Sequence, residues 1–270
     1  MARQKLGQHF LHDAGWREQI ARAIRVSRHS QDYPETPGKP FCWIEIGSGH
    51  GEMTEYLAAA GAPVYAVELD PALVPGLQRL AKSFPNLTVV PGDVLETNLA
   101  EIASGRRIRL YGNLPYYITS PILRHFFDSA ELIDQIHIVI QLEVAFRLAA
   151  QPGTRDYGYL SVLTQYFSKP EVALKIPPAA FQPPPEVDSA LVSLKLPGIH
   201  ARLAPRTENE FLEFAKRCFA QKRKTLVNNL RAVASPTKVK ATLVEMGLLE
   251  TARAEELPVA QLLMLFHKLQ

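Results

Sequence analysis

The chain carries the sequence FCWIEIGSGHG from Phe41 to Gly51, and this stretch decides the fold class. Its first six residues are almost entirely apolar, which is typical of a buried strand. Three glycines in the next five residues form a loop whose backbone can turn tightly and approach a ligand. A helix that begins at this loop would direct its free N–H groups toward the same place. The stretch therefore predicts a strand, a glycine loop and a helix, in that order.

The same alternation of strand and helix patterns continues downstream of the loop. Strand-like apolar runs recur between helical patterns at 64–68, 87–90, 108–111 and 137–140. Asp70-Pro71 and Ser120-Pro121 are typical of a cap residue followed by proline at the first helical position. This alternation predicts an α/β fold with a parallel, doubly wound sheet. Two further strand-like runs, 172–176 and 190–196, predict a closing hairpin.

A second, helical region follows a predicted linker. Pro197-Gly198 and the polar residues up to Asn209 have the composition of a linker. Beyond it, apolar residues keep near-helical spacing from Phe211 to Leu230, with basic residues between them. We therefore predict two domains: residues 1–198, an α/β domain with a basic N-terminal segment, and residues 199–270, a helical basic domain.

Composition excludes several classes of protein. The 270 residues are 47% hydrophobic and 21% charged, which is incompatible with wholesale disorder. The two cysteines, Cys42 and Cys218, lie far apart, which argues against a disulfide scaffold, a zinc finger or an iron–sulfur protein. No apolar run reaches the ~20 residues that span a bilayer, and the N-terminus lacks the apolar stretch of a signal peptide. We expect a cytoplasmic protein with no membrane partner, no metal and no covalent intermediate.

Charge is distributed unevenly along the chain. Residues 41–198 hold 11 basic and 16 acidic groups, whereas residues 199–270 hold 12 basic and 7 acidic groups. The basic N- and C-terminal regions could grip a polyanion while the acidic middle does chemistry. Ordinary scatter over solvated surfaces is the alternative interpretation.

The glycine loop and Glu68 together indicate a nucleoside-containing ligand. Glu68 ends the second strand, 21 residues after Gly47, where a carboxylate can accept bonds from both ribose hydroxyls. A dinucleotide site would have glycine at position 52, but Glu52 stands there, and its charge would oppose a pyrophosphate. This substitution favours S-adenosylmethionine, which has no phosphate. A dinucleotide and a purely structural turn remain the alternatives.

Asp93 ends the third strand at the same edge of the predicted sheet. An acceptor at this place can bind an adenine amino group, while Leu69 and Val94 could sandwich the ring. A cap or turn aspartate is the alternative interpretation.

The turn Asn113-Leu114-Pro115-Tyr116 follows the fourth strand. Methylation of an exocyclic base amine needs this set of groups, because the amine lone pair is delocalised into the ring. An asparagine oxygen and a backbone carbonyl can accept the two N–H bonds, and a tyrosine ring can stack on the base. A plain turn with a surface tyrosine is the alternative.

Together these motifs resemble the ribosomal RNA adenine dimethyltransferase family over nearly the whole chain, in particular its bacterial branch that acts on small-subunit (16S) RNA. The resemblance is carried by Gly7-Gln8-His9-Phe10-Leu11, Glu45-Ile46-Gly47-Ser48-Gly49, Glu68-Leu69-Asp70, Asp93, Asn113-Leu114-Pro115-Tyr116, Phe181-Gln182-Pro183-Pro184-Pro185-Glu186-Val187-Asp188-Ser189-Ala190 and Gln221-Lys222-Arg223-Lys224-Thr225-Leu226. It implies a Rossmann-like S-adenosylmethionine-dependent methyltransferase domain with a small C-terminal helical domain.

The resemblance also implies roles for individual residues. His9 and Leu11 would border the cofactor, and Gly47 would lie under its methionine end. Glu68 would hold the ribose, Asp93 the adenine, and Asn113 would face both the methyl group and the target amine. Leu114 and Pro115 shape the turn. Phe181 would stack on the flipped adenine opposite Tyr116.

The implied reaction is the transfer of two methyl groups to N6 of adenines in small-subunit ribosomal RNA. The expected cofactor is S-adenosyl-L-methionine, and the expected partner is ribosomal RNA in a pre-ribosomal particle, bound by a monomer. Alternatives are a large-subunit resistance methyltransferase, a DNA adenine methyltransferase, a noncatalytic assembly factor on the same fold and a dinucleotide oxidoreductase.

Two further segments have competing interpretations. Lys222-Arg223-Lys224 could contact RNA phosphates or be a solvated helix face. The run Pro183-Pro184-Pro185 could position the site or form a polyproline ligand or stiff linker.

Overall fold

Seven strands form one mixed sheet in the computed structural model, which describes residues 9–26, 40–115, 118–198 and 203–270. The strands in these ranges are β1 (Phe10–Leu11), β2 (Phe41–Ile46), β3 (Val64–Glu68), β4 (Leu87–Pro91), β5 (Arg107–Asn113), β6 (Ile133–Gln141), β7 (Lys169–Ile176), β8 (Phe181–Gln182) and β9 (Ser189–Lys195). The seven-stranded sheet has the order β4-β3-β2-β5-β6-β9-β7. β1 and β8 pair separately as a two-stranded antiparallel ribbon.

The parallel part of the sheet sets the place of the site. β2 pairs in parallel with β3 on one side and with β5 on the other, and the pairings β3–β4 and β5–β6 are also parallel. The loops after β2 and β5 therefore meet at the carboxyl edge where the strand order changes direction, which is where ligands bind in open α/β sheets. The predicted α/β architecture is confirmed. β9 closes the sheet antiparallel to β6, and β7 is its neighbour.

Helices connect the strands and then dominate the C-terminal part. Those in the described ranges are α1 (Ala14–Ala23), α2 (Thr54–Ala59), α3 (Val74–Ala81), α4 (Leu99–Ala103), α5 (Thr119–Asp128), α6 (Leu142–Ala149), α7 (Tyr159–Phe167), α8 (Pro205–Cys218), α9 (Leu226–Asn229), α10 (Pro236–Glu245) and α11 (Val259–Leu269). None of the helices in these ranges is long and apolar enough to cross a bilayer.

Two predicted helix starts were wrong. α3 begins at Val74, because the Asp70 carboxylate accepts the Ala72 N–H (2.9 Å) and closes a turn instead of capping a helix. Pro75 lies in the first turn of α3, where the absent N–H would have had no partner anyway. α5 begins at Thr119, so Ser120 lies inside the helix.

The contacts divide the chain into two compact units. The first unit holds residues 1–145 and 171–197, and the second holds residues 146–170 and 198–270. This division differs from the predicted domains in one segment, because α7 packs among the C-terminal helices. The Tyr166 hydroxyl of α7 donates to the Glu208 carboxylate of α8 (3.0 Å), and the Tyr166 ring lies 5.3 Å from that of Phe211.

The predicted linker is shorter than its composition indicates. α8 begins at Pro205, so residues 205–209 are helical, and residues 199–202 lie outside the described ranges. Proline at the start of α8 fits the first turn of a helix, and Glu208 is buried against Tyr166. Polar composition alone could not reveal this use of the segment.

Candidate functional site

The glycine loop (Gly47–Gly51) follows β2 in a conformation that glycine favours. Gly47, Gly49 and Gly51 have φ angles of +65°, +60° and +92°. A Cβ atom on Gly49 would lie 3.1 Å from the Phe10 ring, and one on Gly51 would lie 2.9 Å from Leu80. A Cβ atom on Gly47 would meet no atom within 4 Å. The loop therefore packs tightly on one side and leaves free space beside Gly47.

Glu68 ends β3 beside this loop and is almost completely buried. One carboxylate oxygen accepts the Gly49 N–H (2.8 Å), and the other accepts the Asp70 N–H (2.8 Å). These two bonds fix the orientation of the carboxylate and tie it to the loop. Each carboxylate oxygen has a further lone pair for a ligand hydroxyl.

Asp93 is half-buried after β4 and acts as a cap in the structure. Its carboxylate accepts the Leu95 N–H (2.9 Å) at the start of a short 3-10 turn, as the alternative interpretation expected. Val94, predicted to cover one face of the adenine, is only 6% exposed, whereas Leu69 is 51% and Leu95 37% exposed. Two exposed leucines therefore lie close to Asp93: Leu95 two residues later in the chain, and Leu69 just after the end of the neighbouring strand β3.

Asn113 is the last residue of β5, at the same edge of the sheet. Its side-chain nitrogen donates to the His9 carbonyl oxygen at 2.8 Å. Because a carbonyl can only accept, the amide must present its NH₂ group to His9 and its Oδ1 atom on the other side. Asn113 therefore has a fixed acceptor oxygen.

His9 belongs to a network that joins three distant parts of the chain. Its Nδ1 atom lies 2.8 Å from the Pro183 carbonyl oxygen, in the proline run. The antiparallel ribbon brings these segments together, since Phe10 pairs with Gln182 and Leu11 with Phe181. The Asn113 side chain, the N-terminal segment and the proline run are consequently held together. This contact favours the positioning role of the proline run.

Leu11 and Phe181 are both buried in the hydrophobic core of the first unit. Phe181 is only 3% exposed, so its ring offers almost no surface to a base in this conformation. The sequence pattern carries no alternation around Phe181 that could have indicated this burial.

The Asn113 turn is built on tight packing behind it. Leu114 is buried, and its N–H donates to the Val139 carbonyl (3.0 Å). The Pro115 carbonyl accepts the Ile118 N–H (3.3 Å). Tyr116, the predicted stacking residue, lies outside the described residues.

A buried polar row that the sequence analysis missed lies on the sheet face that carries Asn113. Glu45, Tyr111, His137 and Ser193 are directly opposite one another on β2, β5, β6 and β9. The His137 Nδ1 atom lies 2.9 Å from the Ser193 hydroxyl oxygen. The signal was present, because a charged Glu45 in an otherwise apolar strand requires a partner.

Glu45 lies two residues before the glycine loop. Its carboxyl accepts the Thr54 hydroxyl of α2 at 2.5 Å. Burial raises the pKa of Glu45 from 4.5 to about 8, and the nearby Glu52 and Glu68 carboxylates add to this rise. Burial lowers the pKa of His137 to about 3, so this imidazole is neutral.

A cleft of about 790 Å³ opens beside the glycine loop. It is lined by Arg17, His50, Gly51, Glu52, Glu55, Tyr56, Ala72, Leu73, Pro75, Gly76, Arg79 and Leu80. Glu68, Asp93 and Asn113 are not in its lining, and both cationic and acidic side chains face it. Within the described ranges, no group of three His, Cys, Asp or Glu residues could hold a metal ion.

Comparison with known proteins places the chain in one family. A model of the ribosomal RNA adenine dimethylase family matches residues 1–270. The chain belongs to this family. A relative from Pseudomonas syringae pv. tomato, named ribosomal RNA small subunit methyltransferase A, is 38% identical, with 96% of this chain and 91% of the relative covered. A relative of the same name from Caldanaerobacter subterraneus is 35% identical, with 96% and 94% covered.

Solved structures of other proteins have a fold similar to that of this dimethylase-family chain. A dimethyladenosine transferase from Plasmodium falciparum has the same fold, with a TM-score of 0.77, 22% identity, and 95% and 96% of the two chains covered. The 23S rRNA methyltransferase ErmE gives a TM-score of 0.70 at 25% identity, with 96% and 99% covered. The predicted Rossmann-like fold is confirmed.

The basic cluster (Lys222–Lys224) of this dimethylase-family chain lies in a turn. α8 ends at Cys218 and α9 begins at Leu226, so the prediction that the cluster is part of a helix was wrong. The three side chains are exposed. Cys218 and Leu226 keep helical spacing on either side of the cluster, so spacing alone could not separate a turn from a helix.

Proposed function

We propose that this chain transfers two methyl groups from S-adenosylmethionine to N6 of adenines in small-subunit ribosomal RNA. Family membership supports an RNA adenine target, and the relatives at 35–38% identity are named for the small subunit. The observation that carries the proposal is the Asn113 amide, held by His9 so that its oxygen faces away as a fixed acceptor.

The residues at the carboxyl edge fit the proposed cofactor. The free space beside Gly47 suits its methionine end, and the buried Glu68 carboxylate suits its ribose. Asp93 has carboxylate lone pairs besides the one used in capping, and the exposed Leu69 offers an apolar surface to adenine. When bound, S-adenosylmethionine supplies a methyl group on a positively charged sulfur.

The Asn113 turn can orient the target amine. We assign one N6–H bond to the Asn113 Oδ1 atom, the end of the amide that does not contact the His9 carbonyl. We assign the second bond to the Leu114 carbonyl, because the fixed backbone of Pro115 directs the preceding carbonyl inward. Both acceptors stabilise the positive charge that develops on nitrogen, so they favour the transition state over the bound base.

Stacking is assigned to Tyr116 on one face of the base. The role of Phe181 on the other face requires its ring to leave the core when the base enters, because the ring is buried. His9 acts as a positioning residue through its backbone carbonyl, and Leu11 acts as a wall behind it. We assign the protein to the cytoplasm, as a monomer bound to a pre-ribosomal particle.

The proposal is tested by mass spectrometry of adenosines in both ribosomal RNAs from cells with and without this protein. We expect dimethyladenosine to disappear from small-subunit RNA alone. Its loss from large-subunit RNA instead would support the activity named for ErmE. Unchanged modification together with tight particle binding would support a noncatalytic assembly factor.

The cofactor assignment has its own test. Losing a charge-assisted hydrogen bond costs roughly 1.5–3 kcal/mol, or about 10- to 150-fold in affinity. Glu68→Ala should weaken S-adenosylmethionine binding by this factor in calorimetry. Since Glu68 also holds the Gly49 and Asp70 N–H groups, thermal unfolding must be measured beside it. Unchanged affinity in a folded variant would remove Glu68 from the ribose site.

A further inference from the structure

The segment Gln151–Tyr157 is anchored within the second unit. The Tyr157 hydroxyl donates to the Leu257 carbonyl at 3.0 Å, and its buried ring packs edge-on against Phe219 at 5.9 Å. The Gly153 N–H donates to the Glu255 carbonyl at 2.7 Å. Three contacts to two different parts of the unit thus hold this segment in place.

A further contact joins this segment to the basic cluster. The Lys222 ammonium donates to the Arg155 carbonyl oxygen. Arg155 is exposed, as are Lys222, Arg223 and Lys224. Four cationic residues from two sequence-distant segments of one unit are therefore brought next to each other at its surface. The only carboxylate within the anchored segment is that of Asp156.

Ion pairing distinguishes these cations from three others of the same unit. Arg206 pairs with Glu210 (3.2 Å), Lys240 with Glu250 (2.8 Å) and Lys268 with Glu245 (2.5 Å). Over the described ranges, the structure records no ion pair for the four cations of the Arg155 surface. Surface cations that lack carboxylate partners are suited to an external polyanion.

We propose that Arg155 binds a ribosomal RNA phosphate and, with Lys222, Arg223 and Lys224, forms a single phosphate-binding surface. The inference rests on the proposed function, because the polyanion is identified as RNA through the substrate. The Arg155 guanidinium presents a planar set of N–H donors that matches a phosphate. The anchored backbone of the segment fixes the position of the Arg155 Cα atom, from which the side chain extends.

The experiment measures binding of the full chain to unmethylated small ribosomal subunits, and to their deproteinised RNA, between 50 and 200 mM salt. Each lost phosphate contact lowers the slope of log K against log salt by about 0.7–0.9. Arg155→Ala and Arg155→Gln should both show this drop with either ligand, and Arg155→Lys should retain the parental slope. Lys240→Ala, which removes an exposed but paired cation of the same unit, is the matched control and should leave the slope unchanged.

The outcomes separate this inference from the proposed function. If the parental chain binds and methylates the subunits while Arg155→Ala and Arg155→Gln keep the parental slope, the Arg155 assignment alone is overturned. A drop with intact subunits but not with deproteinised RNA overturns it in favour of a ribosomal protein partner. If the parental chain neither binds nor methylates small subunits, the proposed function fails and this inference fails with it.

Discussion

Asn113 has a side-chain amide whose two ends are distinguishable, since the His9 carbonyl accepts from one of them. Deleting one preorganised electrostatic contact slows catalysis by about 10²–10³, or about 2.7–4 kcal/mol. We expect Asn113→Ala to show this loss in single-turnover methylation of small-subunit particles at saturating cofactor. Near-parental turnover in a normally folded variant would remove Asn113 from the mechanism.

Asn113→Asp separates the role of the side-chain oxygen as an acceptor from the role of the N–H group that binds the His9 carbonyl. The carboxylate retains an acceptor oxygen, so turnover should exceed that of Asn113→Ala. It also loses the N–H donor and places a negative oxygen near the His9 carbonyl, so the variant should unfold at a lower temperature than Asn113→Ala. A turn-only role predicts instead that turnover follows stability in both variants.

Glu45 should make the stability of the protein depend on pH. Its folded pKa is about 8 and its ordinary value is 4.5, so between these pH values the folded state binds more protons. The free energy of unfolding therefore falls as pH rises through this window, by at most about 1.4 kcal/mol per pH unit. Above pH 8 the Glu45 carboxyl is ionised in both states, so this loss of unfolding free energy is complete.

Glu45→Gln provides the measurement for this effect, because glutamine can still accept the Thr54 hydroxyl. His137, with its pKa lowered from 6.5 to about 3, contributes an opposite slope only below pH 6.5. Urea unfolding between pH 6.5 and 8 should thus show a decline in the parental chain and a flatter profile in Glu45→Gln. Equal slopes in the two proteins would contradict a protonated Glu45.

Strand β5 delivers the Asn113 turn only if the residue before it has no side chain. A Cβ atom on Gly112 would lie 2.9 Å from Leu114 and 3.2 Å from both the Cβ and the carbonyl oxygen of Ile46. Overpacking of this kind typically costs about 1–3 kcal/mol. We expect Gly112→Ala to lower the melting temperature and to reduce turnover further by displacing Asn113.

Gly76→Ala is the matched control for that substitution. Gly76 lies inside α3, and an added Cβ would meet only the end of the flexible Arg79 side chain at 3.9 Å. Alanine in such a helix should stabilise the protein by about 0.4–1 kcal/mol. Calorimetric melting of both variants should shift in opposite directions, and a shared direction would show that contact at Gly112 is not what matters.

The elements that the sequence predicted well are those with strong local patterns. Apolar runs such as Phe41–Ile46 mark strands because burial on both faces admits few polar residues, and Glu45 is the exception in this run. The glycine loop, Glu68 and Asn113 follow from these strands, since each stands at a strand end. The start of α3 was missed because Pro71 and Pro75 satisfy the same local rule. The β1–β8 ribbon has two residues in each strand, too few to show any period.

At the scale of the whole molecule, the excess of basic residues after residue 199 should appear as salt-dependent binding. Neutralising Lys222, Arg223 and Lys224 together should flatten the salt slope of RNA binding by about 2–3 units. Calorimetric affinity for S-adenosylmethionine should stay at its parental value, because none of the three residues is assigned to the cofactor. A parental salt slope would restore the interpretation of a solvated surface.

The division into units could not be predicted from local patterns. Residues 146–170 group with the C-terminal helices through contacts such as the bond from Tyr166 to Glu208, which lies 42 residues away in sequence. Neither partner is marked in the sequence as belonging with the other. The composition of a linker indicates where a chain can be flexible. It does not indicate that α7, which precedes the linker, packs against α8, which follows it.

The hydrogen bonds around Asn113 have a consequence for synthesis of the chain on the ribosome. The bond to His9 closes a separation of 104 residues, and the bond from His9 to Pro183 closes one of 174. When the nascent chain has grown just past Asn113, the asparagine turn has its full local sequence, but the carbonyl that holds the His9 ring has not yet been made. This edge of the sheet is therefore completed late in translation, and a truncated product that ends before Pro183 lacks one end of the hydrogen-bond network around Asn113.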